Sequence, residues 1–277
     1  DLLETMKKKN KMLSNDGDVL VKLMNAMLLA PRGKYIVNFL EDKLRLSGKT
    51  FDHAVAYENI VNVLFLETKV KKTLNILMQL NTPLKQNQTY YEFLCFQFQT
   101  DAELSLEISS GNLESWQSKL EGFNSTKETL SNTKILQWLF ENIANKDIIT
   151  QDQRYEPATV TIKTTSGTLF FLQNGIAFVP KFYFYLQFDK IALVSELRVS
   201  NDNKFFDISI KTTDKTEYIL TNILISHQAD LFEFFANNGV STVFSEDEDN
   251  APDLNLDEDL DEDEQLSSSS ENEDDDK

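Results

Sequence analysis

The chain has 277 residues, 41% of them apolar, and a formal net charge of −18. One cysteine and two histidines exclude an internal disulfide and a His/Cys metal cluster of the usual size, and the absence of any run of about 18 apolar residues excludes a membrane-spanning helix. The acidity is segregated: residues 245–277 carry 17 acidic side chains and one lysine, whereas the first 244 residues carry 26 basic and 28 acidic ones. A nearly neutral body, long enough for two small domains of about 100–120 residues, thus precedes a polyanionic tail.

Residues 1–17 are polar and lysine-containing, and read as a flexible N-terminal segment. The chain opens at Asp1 without a methionine or a secretory signal pattern, which reads as a piece of something longer. Val19, Val21 and Leu23 alternate and lead into Pro31, which suits a turn. From Pro31 to Leu66, short apolar alternations are broken at Glu41-Asp42 and at Ser47-Gly48, the pattern of strands joined by turns. Leu74, Ile76, Met78 and Leu80 alternate in a further strand. Residues 81–89 (NTPLKQNQT) are expected to interrupt it before a strand over 90–98, and Leu104, Leu106 and Ile108 add one more. Residues 112–120 can start a helix. Residues 131–145 form one, with a stripe of Ile135, Leu136, Leu139, Phe140 and Ile143 and with Ser131 or Thr133 as cap. Trp116 and Trp138 read as packing anchors and Cys95 as an inert core thiol.

Residues 146–157 read as a connection, after which the pattern repeats. Gly33 aligns with Gly167, and Tyr57-Glu58-Asn59-Ile60-Val61 aligns with Phe188-Asp189-Lys190-Ile191-Ala192. Strands are predicted near 158–163, 168–172, 176–179, 183–188, 191–197, 205–211 and 217–221. A last helix starting near Ser226 is expected to bury Ala229, Phe232, Phe235 and Ala236 and to stop at Gly239. A long unit present twice means two similar domains, not a solenoid. The fold class is mainly β: two tandem pleckstrin-homology-like (PH) domains, each a bent seven-stranded sheet capped by a C-terminal helix. The expected divisions are 1–17, 18–147, 148–240 and a disordered acidic tail over 241–277.

Catalytic chemistry has no foothold. His53 and His227 lie in different repeats, and no nucleophile-elbow, Walker or dinucleotide motif accompanies them. Paired carboxylates abound only in the tail, where nothing positions them. The reading is a binding protein, not an enzyme, with neither cofactor nor metal.

The segments GDVLVKLMNAMLLAPRGKY (17–35), LRLSGKTFD (44–52), PLKQNQTYYEFL (83–94), the strand after Ser166-Gly167 and FDISI (206–210) together resemble the structure-specific recognition protein family, the small subunit of the FACT histone chaperone. The resemblance spans residues 17–240 and continues into an acidic tail. It implies a nuclear, chromosome-bound, non-catalytic module that reorganises nucleosomes without ATP. Its tandem PH module would bind the histone 3–4 tetramer, and its tail the 2A–2B dimer by competing with DNA. Carried over by position, it implies a basic and polar histone-binding patch of Arg32, Lys34, Lys49, Lys85 and Gln86. Ala30 departs from the hydroxyl residue often found at its position, which removes one hydrogen bond from that patch.

The large FACT subunit would pair through an N-terminal region not in this sequence, and without an HMG box DNA binding should be weak. In the tail, Phe244 beside Glu246, Asp247, Glu248 and Asp249 is expected to give the acidic run an aromatic anchor, and Ser245, Ser268 and Ser270 have the spacing of acidophilic phosphorylation sites. The alternatives are a phosphoinositide-binding adaptor using Lys34, Lys43 and Arg45, and a peptide-binding scaffold. Glu41-Asp42 at the headgroup turn, and repulsion of the tail by an anionic leaflet, argue against the membrane.

Overall fold

A computed structural model describes residues 19–108, 131–199 and 204–244. The N-terminal segment, the helix expected at 112–120 with Trp116, and the tail beyond Phe244, including Glu246, Asp247, Glu248 and Asp249 and the three serines, lie outside the described residues.

The first copy contains β1 (Val21–Ala30), β2 (Arg32–Phe39), β3 (Lys43–Gly48), β4 (Asp52–Ala56), β5 (Ile60–Thr68), β6 (Thr73–Gln86), β7 (Thr89–Gln99), β8 (Leu106–Ile108) and helix α1 (Asn132–Asn142). A short strand, β9 (Ile148–Thr150), follows. The second copy contains β10 (Ala158–Ile162), β11 (Thr165–Leu172), β12 (Gly175–Val179), β13 (Phe184–Gln187), β14 (Ile191–Val199), β15 (Phe205–Thr212), β16 (Glu217–Leu224), helix α2 (Gln228–Asn237) and β17 (Ser241–Val243).

The two sheets share one strand order. β4-β3-β2-β1-β7-β6-β5-β9 corresponds element by element to β13-β12-β11-β10-β16-β15-β14-β17, and the first sheet adds β8 beside β1. The aligned pentapeptides make the same structure, a 3-10 turn (Tyr57–Asn59 and Phe188–Lys190) that feeds the fifth strand of each copy. Even the strand after each helix recurs, since β9 and β17 pair in parallel with β5 and β14 respectively.

Alternation decides which side of each strand is buried. Tyr35, Val37 and Phe39 of β2 enter the first core while Lys34 faces out. Helix α1 begins at Ser131, whose hydroxyl oxygen accepts from Lys134 N at 3.4 Å. Its whole predicted stripe is buried. Phe140 meets Phe39 and Phe65 edge-on at 5.6 and 6.1 Å, so the helix plugs the bent sheet by touching both halves of it. Trp138 packs against the same core.

Two expectations are corrected. The strand at 74–80 does not stop at Asn81, because β6 continues to Gln86 and only Asn87 and Gln88 form the turn. Pro83 is accommodated where the β6–β7 register shifts between Gln79 and Leu84, and an irregularity of this kind tolerates a residue without an N–H. In α2 the buried residues are Leu231, Phe232, Phe234 and Phe235, whereas Ala229 and Ala236 are exposed. The helix rotates its large side chains inward, because they remove the most apolar surface from water. Gly239 closes it at φ 74°, as a residue past a helix end does.

A third core joins the copies. Ala30, Leu64, Leu66, Leu77 and Cys95 on the outer face of the first sheet pack against Phe170, Leu172, Ala177, Val179 and Tyr185 on the outer face of the second. The connection is itself structured: Gln151 bridges to Leu172, and its side-chain oxygen accepts from Glu67 N at 2.6 Å. Lys69 pairs with Glu156 at 3.2 Å across the rim. Asp152 is held below the usual carboxylate range by hydrogen bonds and charge from Arg154.

Burial in this seam pushes the Cys95 thiol up to about 12, so at pH 8 thiolate chemistry there requires the copies to part. Cys95 should therefore resist a water-soluble maleimide in the native chain. Leu77→Ala should cost about 2–4 kcal/mol and accelerate labelling at least tenfold; equal labelling rates for the two chains would mean that the seam opens freely.

Candidate functional site: a basic mouth on the first copy

Three turns converge at the end of the first sheet opposite α1: β1–β2 at Pro31, β3–β4 at residues 49–51, and β6–β7 at Asn87 and Gln88. These turns carry PRGKY, GKTFD and PLKQNQT. They are held over one aromatic side chain. Tyr35 pairs in register with Gly48, and its ring lies between two glycines. A methyl group on Gly33 would stand 2.8 Å from Tyr35 Cε2, and one on Gly48 would stand 2.7 Å from both Tyr35 Cε1 and the Phe51 carbonyl oxygen. Neither position has space for a side chain larger than hydrogen.

His53 completes the mouth. It is buried, its ring is stacked on Phe51 at 6.4 Å and tilted against Tyr35 at 6.1 Å. Its Nε2 lies 3.0 Å from Gln86 Oε1, a hydrogen bond in which the imidazole N–H donates. That bond ties the long β6–β7 hairpin to β4, 33 residues away in sequence. Gly48 N donates to Asp52 Oδ1 at 3.1 Å, which closes the β3–β4 turn.

Around this frame Arg32, Lys34, Lys49 and Lys85 are exposed and Gln86 is half-buried. The structure thus brings all five predicted residues to one end of one domain. Lys85 is additionally oriented, its Nζ 5.2 Å from the centroid of the Tyr90 ring. Burial first, then the neighbouring Tyr91 and Asp52, push the Tyr35 hydroxyl above its ordinary value, so it stays protonated. The patch is cationic, with Asp52 as the carboxylate inside it.

Sequence reasoning missed the supporting residues Tyr35, His53 and Asp52. All three stand in or beside the quoted motifs, but only tertiary contact assigns them their work. One expectation shifts and another gains a structural setting. Ala30 is buried in the inter-copy seam, not on the patch, so its missing hydroxyl takes nothing from the cationic surface. Phe244, expected to anchor the acidic run, is 40% exposed, and its ring lies 4.4 Å from that of Phe232. It packs on the second copy, because β17 delivers it beside α2.

The lipid alternative loses two of its three cations. Lys43 is 5% exposed and lies 4.0 Å from Asp42, while Arg45 faces Asp52 at 3.8 Å. Among the described residues no group of His, Cys, Asp and Glu is placed to hold a metal, and no helix is long and apolar enough to cross a membrane.

Gly48→Ala should cost about 1–3 kcal/mol, because the methyl group meets a backbone carbonyl that cannot rotate away. Lys49→Ala next to it should fall within about 0.5 kcal/mol of the parent. Urea denaturation of the two variants measures the difference, and equal midpoints would show that the Tyr35 frame yields at no cost.

Residues 18–148 match the family model described as the SSRP1 PH domain, and residues 158–243 match that of the histone chaperone Rttp106-like middle domain. The chain is 28% identical over 223 residues to FACT complex subunit SSRP1 of Homo sapiens and of Gallus gallus, covering 79% of this chain and 31% of each of those proteins. It is 30% identical over 245 residues to FACT complex subunit pob3 of Aspergillus fumigatus, covering 84% of this chain and 42% of that one. The chain therefore spans about a third of the length of the curated relatives it matches. Among solved structures, "Structure of the Spt16D Pob3N heterodimer" aligns at TM-score 0.28 and 10% identity over 70% of this chain and 83% of that one, a likeness too slight to carry an argument.

Proposed function

We propose that this chain, whose two copies belong to the SSRP1-like PH and Rttp106-like histone-chaperone middle-domain families, is the histone-binding part of a FACT small subunit. The observation that carries the reading is the coincidence of two things: the family models fall on the two copies in order, and all five motif residues converge at the mouth of the first. The mechanism is non-catalytic. The cationic mouth, with Gln86 fixed by His53, engages a folded surface of the histone 3–4 tetramer that presents acceptors. The tail engages the 2A–2B dimer as a polyanion, occupying faces that DNA would otherwise hold.

Residues 246–249, next to Phe244, begin that acidic run. With Phe244 seated on Phe232, the run starts at a defined point on the second copy, which gives it a register. Competition between tail and DNA for the same histone faces needs no ATP, because every step is an exchange of one polyanion for another. Nuclear, chromosomal localisation follows from this reading. So does pairing with the large FACT subunit outside the residues of this chain, whereas DNA and membranes are at most weak partners.

No residue beyond Val240 enters any of the three cores of the described residues, so a chain ending at Phe244 keeps them all. Fluorescent 2A–2B dimer and 3–4 tetramer should be titrated separately against the full and shortened chains at two salt concentrations. Shortening should weaken dimer binding at least tenfold, with the loss greatest at low salt, and should spare the tetramer. Lys49→Glu and Gln86→Ala should each weaken the tetramer about three- to tenfold. If neither histone pair binds the full chain at physiological salt, the assignment fails.

A further inference from the structure

The seam creates a cleft that neither copy has alone. It opens between the start of β7 and the β12–β13 turn, has a volume of about 420 Å³, and is lined by Tyr90, Tyr91, Phe93 and Tyr183 together with Glu92 and Lys181. Its floor is the edge of the inter-copy core, against which Tyr91, Phe93 and Tyr183 pack while still partly exposed. The size suits one long side chain and its adjoining backbone. The cleft is continuous with the basic mouth, because Tyr90 pairs in register with Lys85 and Thr89 pairs with Gln86 on the same hairpin.

We propose that this cleft takes a lysine or arginine side chain from a histone tail while the mouth holds the folded histone surface; the inference rests on the histone reading above. Three observations favour a cation over an anion or a purely apolar group. Aromatic ring faces carry negative potential and attract ammonium and guanidinium groups within about 6 Å. Tyr90 already holds one such ammonium, that of Lys85, at 5.2 Å. Glu92 is exposed and forms no ion pair among the described residues, so its charge is available.

Burial raises the Tyr183 hydroxyl above its ordinary value, so that phenol stays neutral and presents ring and hydroxyl, not charge. Lys181 opposes the occupant. It stands on the β12–β13 turn and would repel an incoming cation, which gives the proposal a sign that can be read. A cationic occupant must gain when Lys181 is neutralised and lose when Glu92 is neutralised, whereas an acidic occupant must do the reverse.

The test uses the chain ending at Phe244, so that the polyanionic tail does not itself capture a basic probe. Fluorescence anisotropy follows a labelled peptide of the histone 3 N-terminal tail, and a version with every lysine and arginine replaced by glutamine. Glu92→Gln should weaken the basic peptide about three- to tenfold, Lys181→Gln should tighten it about two- to threefold, and the neutral peptide should not bind. Both positions are exposed, so folding is not at stake, and circular dichroism checks it.

An unchanged affinity in Glu92→Gln, a reversed order of the two variants, or equal binding of the neutral peptide would overturn the proposal. The intact 3–4 tetramer, titrated in parallel, separates the two readings. If the tetramer binds while the peptide ignores Glu92 and Lys181, the cleft inference alone fails. If neither binds, the histone reading fails and takes the cleft with it.

Discussion

The rest of the molecule depends on the apolar contact between two sheet faces that would otherwise both meet water. Leu64, Leu66, Leu77 and Cys95 on one side and Phe170, Leu172 and Val179 on the other are almost fully buried. A leucine or phenylalanine moved from solvent into such a seam stabilises by about 1.5–3 kcal/mol. The contact therefore outweighs by far the exposed Lys69–Glu156 pair on its rim. Because the seam is apolar and buried and β9 hydrogen-bonds to the first sheet while Gln151 bridges to the second, the copies form a single body. The mouth, the cleft and the exit point of the tail then stand in one frame.

The contact is head-to-tail, and comparison of the copies explains why it occurs once. The face of the first copy that receives its neighbour carries Leu64 and Leu77. Register pairs Val63 with Met78 in the first copy and Val194 with Ile210 in the second, which makes Ser195 and Ser209 the counterparts of those leucines. Ser209 is tied to Glu217 by a hydrogen bond and buried, and Arg198 is paired with Asp207 on the same sheet at 2.5 Å. A hydroxyl-bearing face with internal ion pairing gains little from docking a third sheet, since its polar groups would have to be desolvated. The opposite asymmetry applies to the other face. In the second copy, β11 and β12 present Phe170 and Ala177, whereas in the first, β2 and β3 present Ile36 and Ser47 flanked by Lys34 and Lys49. One copy buries this surface against its sibling, and the other leaves it polar and cationic.

Charge is segregated along the same lines. The described body is close to neutral and carries four exposed cations at its mouth, while nearly all of the chain's net charge lies in residues 245–277.

Much of this was legible in the residues. Period-two alternation, turn residues and the internal repeat specified fourteen strands in two equivalent sets, and helical spacing specified α1, because burial on one face of a strand or helix writes its period directly into the chain. The residues of the patch come from the resemblance, carried over by position; the glycines and prolines beside them mark only solvent-facing turns. The continuation of β6 through Pro83, the rotation of α2 away from Ala229 and Ala236, and the packing of Phe244 on Phe232 were decided only by tertiary contact. So was the seam. A leucine in a strand is equally a core residue or an outward one until its sheet has a neighbour. That Leu64 and Leu77 meet a second domain while Val63 and Met78 enter their own core follows from pairing across more than a hundred residues, which no local pattern encodes.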